Sequence, residues 1–201
     1  MSVPEHYFSE EPTIASAPVF ADVDVWGARM RLSTDTGVFS RGKLDPGTAI
    51  LFRRTTPPVE PGAYLDLGCG YGVIGCALAL TNPSATVWAT DVNRRAVRLT
   101  SANATTLGIT DRLHAAVPDE VAETEFTQIW TNPPVHVGKP AMHGILLRWL
   151  PKLLPGGTAT LVIGRHLGGD SLQRWLTEQG YPCERIASAK GFRVLRAHRP
   201  T

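Results

Sequence analysis

The apolar run Ala63-Tyr64-Leu65-Asp66-Leu67 passes directly into Gly68-Cys69-Gly70-Tyr71-Gly72 and then into a second apolar run, Val73-Ile74-Gly75-Cys76-Ala77-Leu78-Ala79-Leu80. These three stretches read as a buried strand, a tight turn and a helix, the opening unit of a parallel α/β sheet. Glycines without β-carbons let the backbone approach a ligand closely, and free N–H groups at the helix start favour polar or anionic groups. Alternation of strands and helical stretches continues downstream. Residues 86–90 read as a second strand with a helix beginning near Arg94, and residues 126–131 as another strand. A helix over 141–153, a turn at Pro155-Gly156-Gly157, a strand over 159–163, a helix over 171–179 and closing strands near 183–187 and 192–197 complete the series.

Gly70-Tyr71-Gly72-Val73-Ile74-Gly75 matches the G-x-G-x-x-G dinucleotide fingerprint, and Asp91 follows at about the spacing of a ribose-binding acid. Asp66 argues against a nicotinamide cofactor, because a carboxylate just before the first glycine repels a diphosphate and tolerates a cationic amino-acid moiety. That favours S-adenosylmethionine. No Tyr-x-x-x-Lys pair for hydride chemistry is present either: Tyr7, Tyr64, Tyr71 and Tyr181 are followed four residues later by Glu11, Gly68, Gly75 and Arg185. Asp91 closes the run Thr86-Val87-Trp88-Ala89-Thr90, where a carboxylate can accept both ribose hydroxyl protons. An N-cap for the next helix is the alternative role for Asp91.

The strand Phe126-Thr127-Gln128-Ile129-Trp130-Thr131 runs into Asn132-Pro133-Pro134. Prolines remove backbone donors and fix the chain, so carbonyl acceptors point outward. An amine conjugated to a ring or carbonyl is a poor nucleophile, because its lone pair is delocalised. If the Asn132 side-chain oxygen and the Pro133 carbonyl each accept one N–H, the nitrogen is held with its lone pair aimed at a sulfonium methyl. The work is then positioning and charge stabilisation. Asn-Pro-Pro alone is also an ordinary turn; its position some sixty residues after the glycine turn gives it meaning.

Thr34-Asp35-Thr36-Gly37-Val38-Phe39-Ser40, Leu44-Asp45-Pro46-Gly47-Thr48, the stretch from Asp66 to Gly72, Asn132-Pro133-Pro134-Val135-His136-Val137-Gly138-Lys139 and Lys190-Gly191-Phe192-Arg193-Val194-Leu195 together resemble the small-subunit ribosomal RNA guanine-N2 methyltransferase C family over most of residues 20–197. The resemblance implies a Rossmann-like class I methyltransferase: a mostly parallel seven-stranded sheet with helices on both faces and an N-terminal β-hairpin extension. It further implies S-adenosylmethionine as cofactor and ribosomal RNA or the small ribosomal subunit as partner. Asp66, Gly68, Cys69, Gly70, Gly72, Asp91, Val92, Asp119 and Asn132 are the expected cofactor-binding positions. Asn132, Pro133 and Pro134 are the expected catalytic ones, and Phe39, Val135 and Lys139 the expected substrate contacts. Enterobacterial members resemble a tandem of two such domains with an aromatic residue after the prolines. Here Val135 takes that place, as in stand-alone archaeal and Gram-positive relatives, so a different clamp is expected on the base, with Phe39 the candidate. A protein glutamine-N5 or adenine-N6 methyltransferase, or a non-catalytic RNA-binding module, is the alternative.

Residues 1–18 are polar and punctuated by Pro4, Pro12 and Pro18, which predicts a loosely held arm before one domain over 19–201. Within it, 19–60 form an extension and 61–201 the cofactor-binding core. Alternation around Val23-Asp24-Val25-Trp26 and Met30-Arg31-Leu32, with Gly27-Ala28 between, predicts a hairpin, and residues 48–55 a helix. Cys69, Cys76 and Cys183 form neither a metal spacing nor a disulfide framework, so no metal and a reducing cytoplasm are expected. No apolar stretch approaches spanning length, so no membrane partner is expected either.

Net charge is +2, but residues 1–24 carry Glu5, Glu10, Glu11, Asp22 and Asp24 with no Lys or Arg. Arg165, Arg174, Arg185, Lys190, Arg193, Arg196 and Arg199 cluster near the end, and Arg29, Arg31, Arg41, Lys43, Arg53 and Arg54 form a second group. These suit phosphate contacts. Arg94, Arg95 and Arg98 are expected to be solvated surface charge, and His136 and His143 to have no catalytic role.

Overall fold

The computed structural model describes residues 14–201. Most of the arm expected over residues 1–18 therefore lies outside the described residues. The first strands, β1 (Val19–Val25) and β2 (Ala28–Thr34), pair antiparallel with Val25 opposite Ala28. Their turn is Trp26-Gly27, with φ of 51° and 82°, the pair of positive values that a two-residue hairpin turn of matching twist requires. Ala28 thus starts a strand and is not part of the turn, correcting the expected position. Trp26 tolerates its conformation because its ring is gripped. It meets Phe52 and Trp130 edge-on, and its indole N–H donates to the carbonyls of Phe52 and Thr55.

Helix α1 (Pro46–Arg54) begins two residues before the expected 48–55 span, because Asp45 caps it and Pro46 occupies the first turn. The core follows as β3 (Gly62–Leu67), α2 (Val73–Thr81), β4 (Ala85–Thr90), α3 (Arg94–Leu107), β5 (Leu113–Ala116), β6 (Phe126–Thr131), α4 (Lys139–Trp149), β7 (Leu153–Gly164), α5 (Gly169–Glu178), β8 (Cys183–Ala189) and β9 (Phe192–His198). Seven strands lie in the order β5-β4-β3-β6-β7-β9-β8. The first five are parallel, and β9 runs antiparallel to both its neighbours.

Period-two alternation splits the core into two layers. Tyr64, Val162 and Val194 pack with the hairpin, α1, α2 and α3, whereas Leu65, Leu67, Leu161, Ile163 and Leu195 pack with α4 and α5. The same alternation turns Asp66 toward α2.

Boundaries differ from expectation at α4 and β7. Gly138, at φ 85°, releases the chain and Pro140 sits in the first turn, so α4 starts at Lys139; Pro151 then limits it to Trp149, after which Leu150–Lys152 make a 3-10 turn. The expected Pro155-Gly156-Gly157 turn is instead a bulged extension of β7 opposite β6. Only glycine fits at 157, where a Cβ would meet the carbonyl oxygens of Leu154 at 2.8 Å and Thr127 at 3.0 Å. Among the described residues no helix is long and apolar enough to cross a membrane, and no group of His, Cys, Asp and Glu is placed to hold a metal.

Candidate active site

Parallel register brings three separated sequence segments level at one sheet edge. Leu67 of β3 stands opposite Thr90 of β4 and Thr131 of β6, so the next residues, Gly68, Asp91 and Asn132, emerge side by side at the carboxyl ends of the strands, where open α/β sheets bind ligands. The Thr131 hydroxyl donates to the Leu67 carbonyl at 2.7 Å, and Gly68 and Cys69 N–H groups both donate to the Thr90 carbonyl. The edge is therefore cross-tied.

Above it opens a cleft of about 500 Å³ lined by Gly68, Gly70, Asp91, Val92, Asn132, Pro133, Pro134, Val135 and Phe39 among others. Nine of the expected residues thus share one surface. Gly68 and Gly70 adopt φ of 75° and 56°, and a Cβ on either would meet no protein atom within 4 Å. Their backbone faces open space. Gly72 and Cys69 lie beneath: Gly72, at φ 85°, starts α2 against the Thr100 side chain, and the buried Cys69 thiol lies 3.5 Å from the Thr100 hydroxyl. Burial, with the nearby Asp91 and Asp66 charges, pushes that thiol well up, so it is no nucleophile.

Asp66 also lies under the loop, fully buried. Its Oδ2 accepts from the Gly75 N–H at 2.8 Å, while Oδ1 has no hydrogen-bond partner. Burial, helped by the charge of Asp91, pushes its carboxyl up to about 7. Asp91 accepts from the N–H groups of Gly70 and Asn93 at 3.0 Å each. Burial raises its carboxyl as well, against the opposing pull of those amides. It does not cap α3. Asn93 does, because its shorter reach from the helix start lets Oδ1 accept from Arg95 and Ala96 N–H.

Asn132 is held by the N-terminal extension. Its Nδ2 donates to Asp45 Oδ1 at 2.7 Å and to the Thr48 hydroxyl at 3.0 Å. A carboxylate only accepts, so the amide nitrogen must face Asp45 and the amide oxygen is left to the other side. Phe39 is brought to the rim by the loop after β2: Asp35 accepts from Ser16, Ala17 and Thr36, and Asn93 Nδ2 donates to the Gly37 carbonyl at 2.7 Å.

Two expected contacts are placed elsewhere. Pro118 lines the cleft, but Asp119 does not; it is exposed and bound to Arg148 at 2.6 Å. Lys139 is exposed at the start of α4, with Cε 3.2 Å from where a Gly168 Cβ would stand. Arg95, expected to be solvated, is structural: it donates to the carbonyls of Thr36 and Ile14 and lies 4.0 Å from Asp35. His143 stacks on Trp175 between α4 and α5 at 3.7 Å, away from the lining; the side chain of His136 is outside the described residues.

The site also contains residues the sequence did not single out. Asp45, Asn93, Leu167 and Phe192 line the cleft. Asp45 carried a usable signal, the Asp-Pro pair that starts a helix. Phe192 lies in the Lys190-Gly191-Phe192 segment that carries the family resemblance, whereas Leu167 carried no signal, since only the sheet order brings the turn after β7 to the cleft.

The residues present fit S-adenosylmethionine: two glycines whose Cβ positions open into the cleft, a buried acceptor at Asp66 without a donor, and a carboxylate at the end of β4. Fold and site together define a class I methyltransferase architecture. The methyltransferase small domain model matches residues 29–196, and the chain belongs to that family. It is 34% identical to the uncharacterized Bacillus subtilis protein YbxB, covering 96% of this chain and 98% of that one. It is also 34% identical to the ribosomal RNA small subunit methyltransferase C of Hahella chejuensis, over 85% of this chain and 50% of that protein. The chain thus spans about half the length of the relatives that bear this name. Among solved structures, a T. thermophilus 16S rRNA N2 methyltransferase in complex with AdoMet and guanosine matches with a TM-score of 0.77 at 25% identity, over 94% of this chain and 52% of that one.

Proposed function

We propose that this chain transfers a methyl group from S-adenosylmethionine to the exocyclic N2 amine of a guanine in 16S ribosomal RNA. The observation that carries the reading is the tethered Asn132 amide: Asp45 and Thr48 hold its nitrogen, so its oxygen is left to accept from a ligand in the cleft that Asn132 and Pro133 both line. A fixed amide oxygen, with the Pro133 carbonyl as the second acceptor, suits an amine with two hydrogens. The relatives named as ribosomal RNA small subunit methyltransferases and the guanosine complex of the T. thermophilus enzyme support the same substrate.

S-adenosylmethionine, when bound, supplies an electrophilic methyl on its sulfonium. Gly68 and Gly70 give it backbone contact, Asp66 an acceptor for its ammonium group, Asp91 an acceptor for the ribose hydroxyls and Val92 an apolar contact for the adenine. Asn132 and Pro133 bind the two amine hydrogens and turn the nitrogen lone pair outward. They would also stabilise the positive charge that develops on nitrogen as the new N–C bond replaces the methyl–sulfur bond, whose electrons stay on sulfur, and the surplus proton would then leave to water. Pro134 and Val135 fix the loop, and Phe39 packs on the base. Exposed Arg165 and Lys190, on turns joined by an Arg165 N–H bond to the Gly191 carbonyl, flank Gly164, Leu167 and Phe192 of the cleft. With Lys139 they supply phosphate contacts. The working unit is residues 19–201, in which 19–60 complete the site built on 61–201, and its place is the cytoplasm.

Undermethylated small subunits and extracted RNA, incubated with labelled S-adenosylmethionine and digested to nucleosides, should yield labelled N2-methylguanosine by mass spectrometry. Asn132→Ala should abolish it. Label on protein or on another nucleoside would refute the guanine reading.

A further inference from the structure

Asp45 is a half-buried carboxylate at the cleft wall, and the bonds it makes leave one oxygen unused. Oδ1 accepts from the Thr48 N–H at 2.9 Å, as the cap of α1, and from Asn132 Nδ2 at 2.7 Å. Among the described residues Oδ2 accepts no hydrogen bond, and no Lys, Arg or His pairs with the carboxylate. A flat apolar wall stands next to it. Gly47 is closed to a side chain because a Cβ there would meet Asp45 Oδ1 at 3.0 Å and Phe192 Cε1 at 3.0 Å, so the Phe192 ring lies against the same corner. The cleft therefore presents an acceptor-only group beside the Asn132 amide proposed to hold the amine.

That arrangement discriminates among amines by what flanks them. The N6 amine of adenine and the N4 amine of cytosine are each flanked by an unprotonated ring nitrogen, and a glutamine amide nitrogen by a carbonyl oxygen. Each would set a lone pair against the carboxylate. The N2 amine of guanine is flanked by N1–H, a donor. Leaving a partly buried polar group unpaired is what makes such sites selective.

We propose that Asp45 is a specificity-determining residue: Oδ1 positions Asn132, and Oδ2 accepts the N1–H of the target guanine. This rests on the guanine-N2 reading above.

The test compares binding of three nucleosides to protein saturated with S-adenosylhomocysteine, by NMR titration: guanosine, 2-aminopurine riboside (amine kept, N1–H lost) and inosine (N1–H kept, amine lost). Wild-type protein should prefer guanosine to 2-aminopurine riboside by about ten- to a hundredfold, the range of one hydrogen bond to a charged group. Asp45→Asn and Asp45→Ser, which both retain a helix-capping side chain, should collapse that preference and weaken inosine equally. Asn132→Ala should leave inosine affinity unchanged. A merely structural role through Asn132 would not move inosine. An unchanged guanosine preference in both Asp45 variants, unchanged inosine affinity, or no guanosine preference in the wild-type protein would each overturn the proposal. Methylation of another base or of protein in the labelling experiment would instead refute the reading beneath it.

Discussion

Gly70 and Gly72 are two residues apart, both left-handed, and face opposite surroundings, so alanine at each separates ligand binding from folding. An L-residue in that conformation costs about 1–2 kcal/mol. At Gly70, with φ 56°, nothing more is added, because a Cβ meets no protein atom within 4 Å. At Gly72, with φ 85°, the Cβ would stand 2.7 Å from Thr100 Cγ2 and 2.8 Å from its hydroxyl, a group bonded to the Gly70 carbonyl. Overpacking of this kind adds about 1–3 kcal/mol. With a melting shift of about 2–4 °C per kcal/mol for a domain of this size, Gly70→Ala should melt roughly 2–8 °C low, and Gly72→Ala roughly 4–20 °C low. Titration calorimetry with S-adenosylmethionine should show the reverse order, with affinity reduced at least about tenfold by the Gly70 methyl, which projects into the cleft. Gly70→Ala binding the cofactor as tightly as wild type would refute the placement of the ligand over the loop. Gly72→Ala melting no lower than Gly70→Ala would refute the packing argument.

Asp66 makes folding pH-dependent in a definite direction. Its folded carboxyl keeps a proton up to about 7, whereas the unfolded one releases it near 3.8, so the native state binds more protons between those values and stability falls as pH rises through that window. Denaturant midpoints at pH 5 and pH 8 should show Asp66→Asn gaining on wild type at the higher pH by on the order of a few kcal/mol; a constant difference would contradict it. Phe39→Ala should barely change the melting temperature, since the side chain is 43% exposed, but should raise KM for RNA about tenfold, as loss of one base stack implies. Unchanged KM would remove Phe39 from the base site. Thr48→Val removes one of the two acceptors on Asn132 Nδ2 and should lower kcat by about two- to tenfold without changing cofactor affinity; loss of cofactor binding would show a structural role instead.

Legibility in the sequence followed the range of the interactions. The strand, glycine turn and α2 were legible because each is specified within its own residues, and Asp91 and Asn132 because they end strands with strong apolar runs. The α1 start was misjudged although Asp45-Pro46 announced it, since the apolar periodicity begins only later. The Trp26-Gly27 turn was displaced by one residue because a tryptophan at positive φ is sustained only by Phe52, Thr55 and Trp130. Gly157 looked like a turn residue, but two strands approaching closely demand it. Asp119 reads as a cofactor contact in sequence, but Arg148, far along the chain, binds it at the surface. Phe192 belonged to a segment that carries the family resemblance, but its place in the cleft, like that of Leu167, follows from the order β7-β9-β8, which no local pattern encodes.

The distribution of charge around the cleft joins the two ligands in one argument. Asp45 and Asp91 line it, at the start of α1 and the end of β4, while Asp66 is buried under the glycine loop, and burial raises the carboxyls of Asp66 and Asp91. Two carboxylates lining one pocket favour a cationic small ligand and repel a nucleic-acid backbone. The guanine proposed here would enter such a pocket as a neutral base, with its phosphates kept outside, on the side proposed for Lys139, exposed at the start of α4, and for Arg165 and Lys190 on exposed turns. The extension before the core therefore does more than cover the sheet. By delivering Asp45 and Thr48 to Asn132, it fixes an amide that the Asn-Pro-Pro turn alone would leave free to rotate. A core beginning at residue 61 should accordingly keep the Gly68–Asp91 surface and lose the oriented amine acceptor.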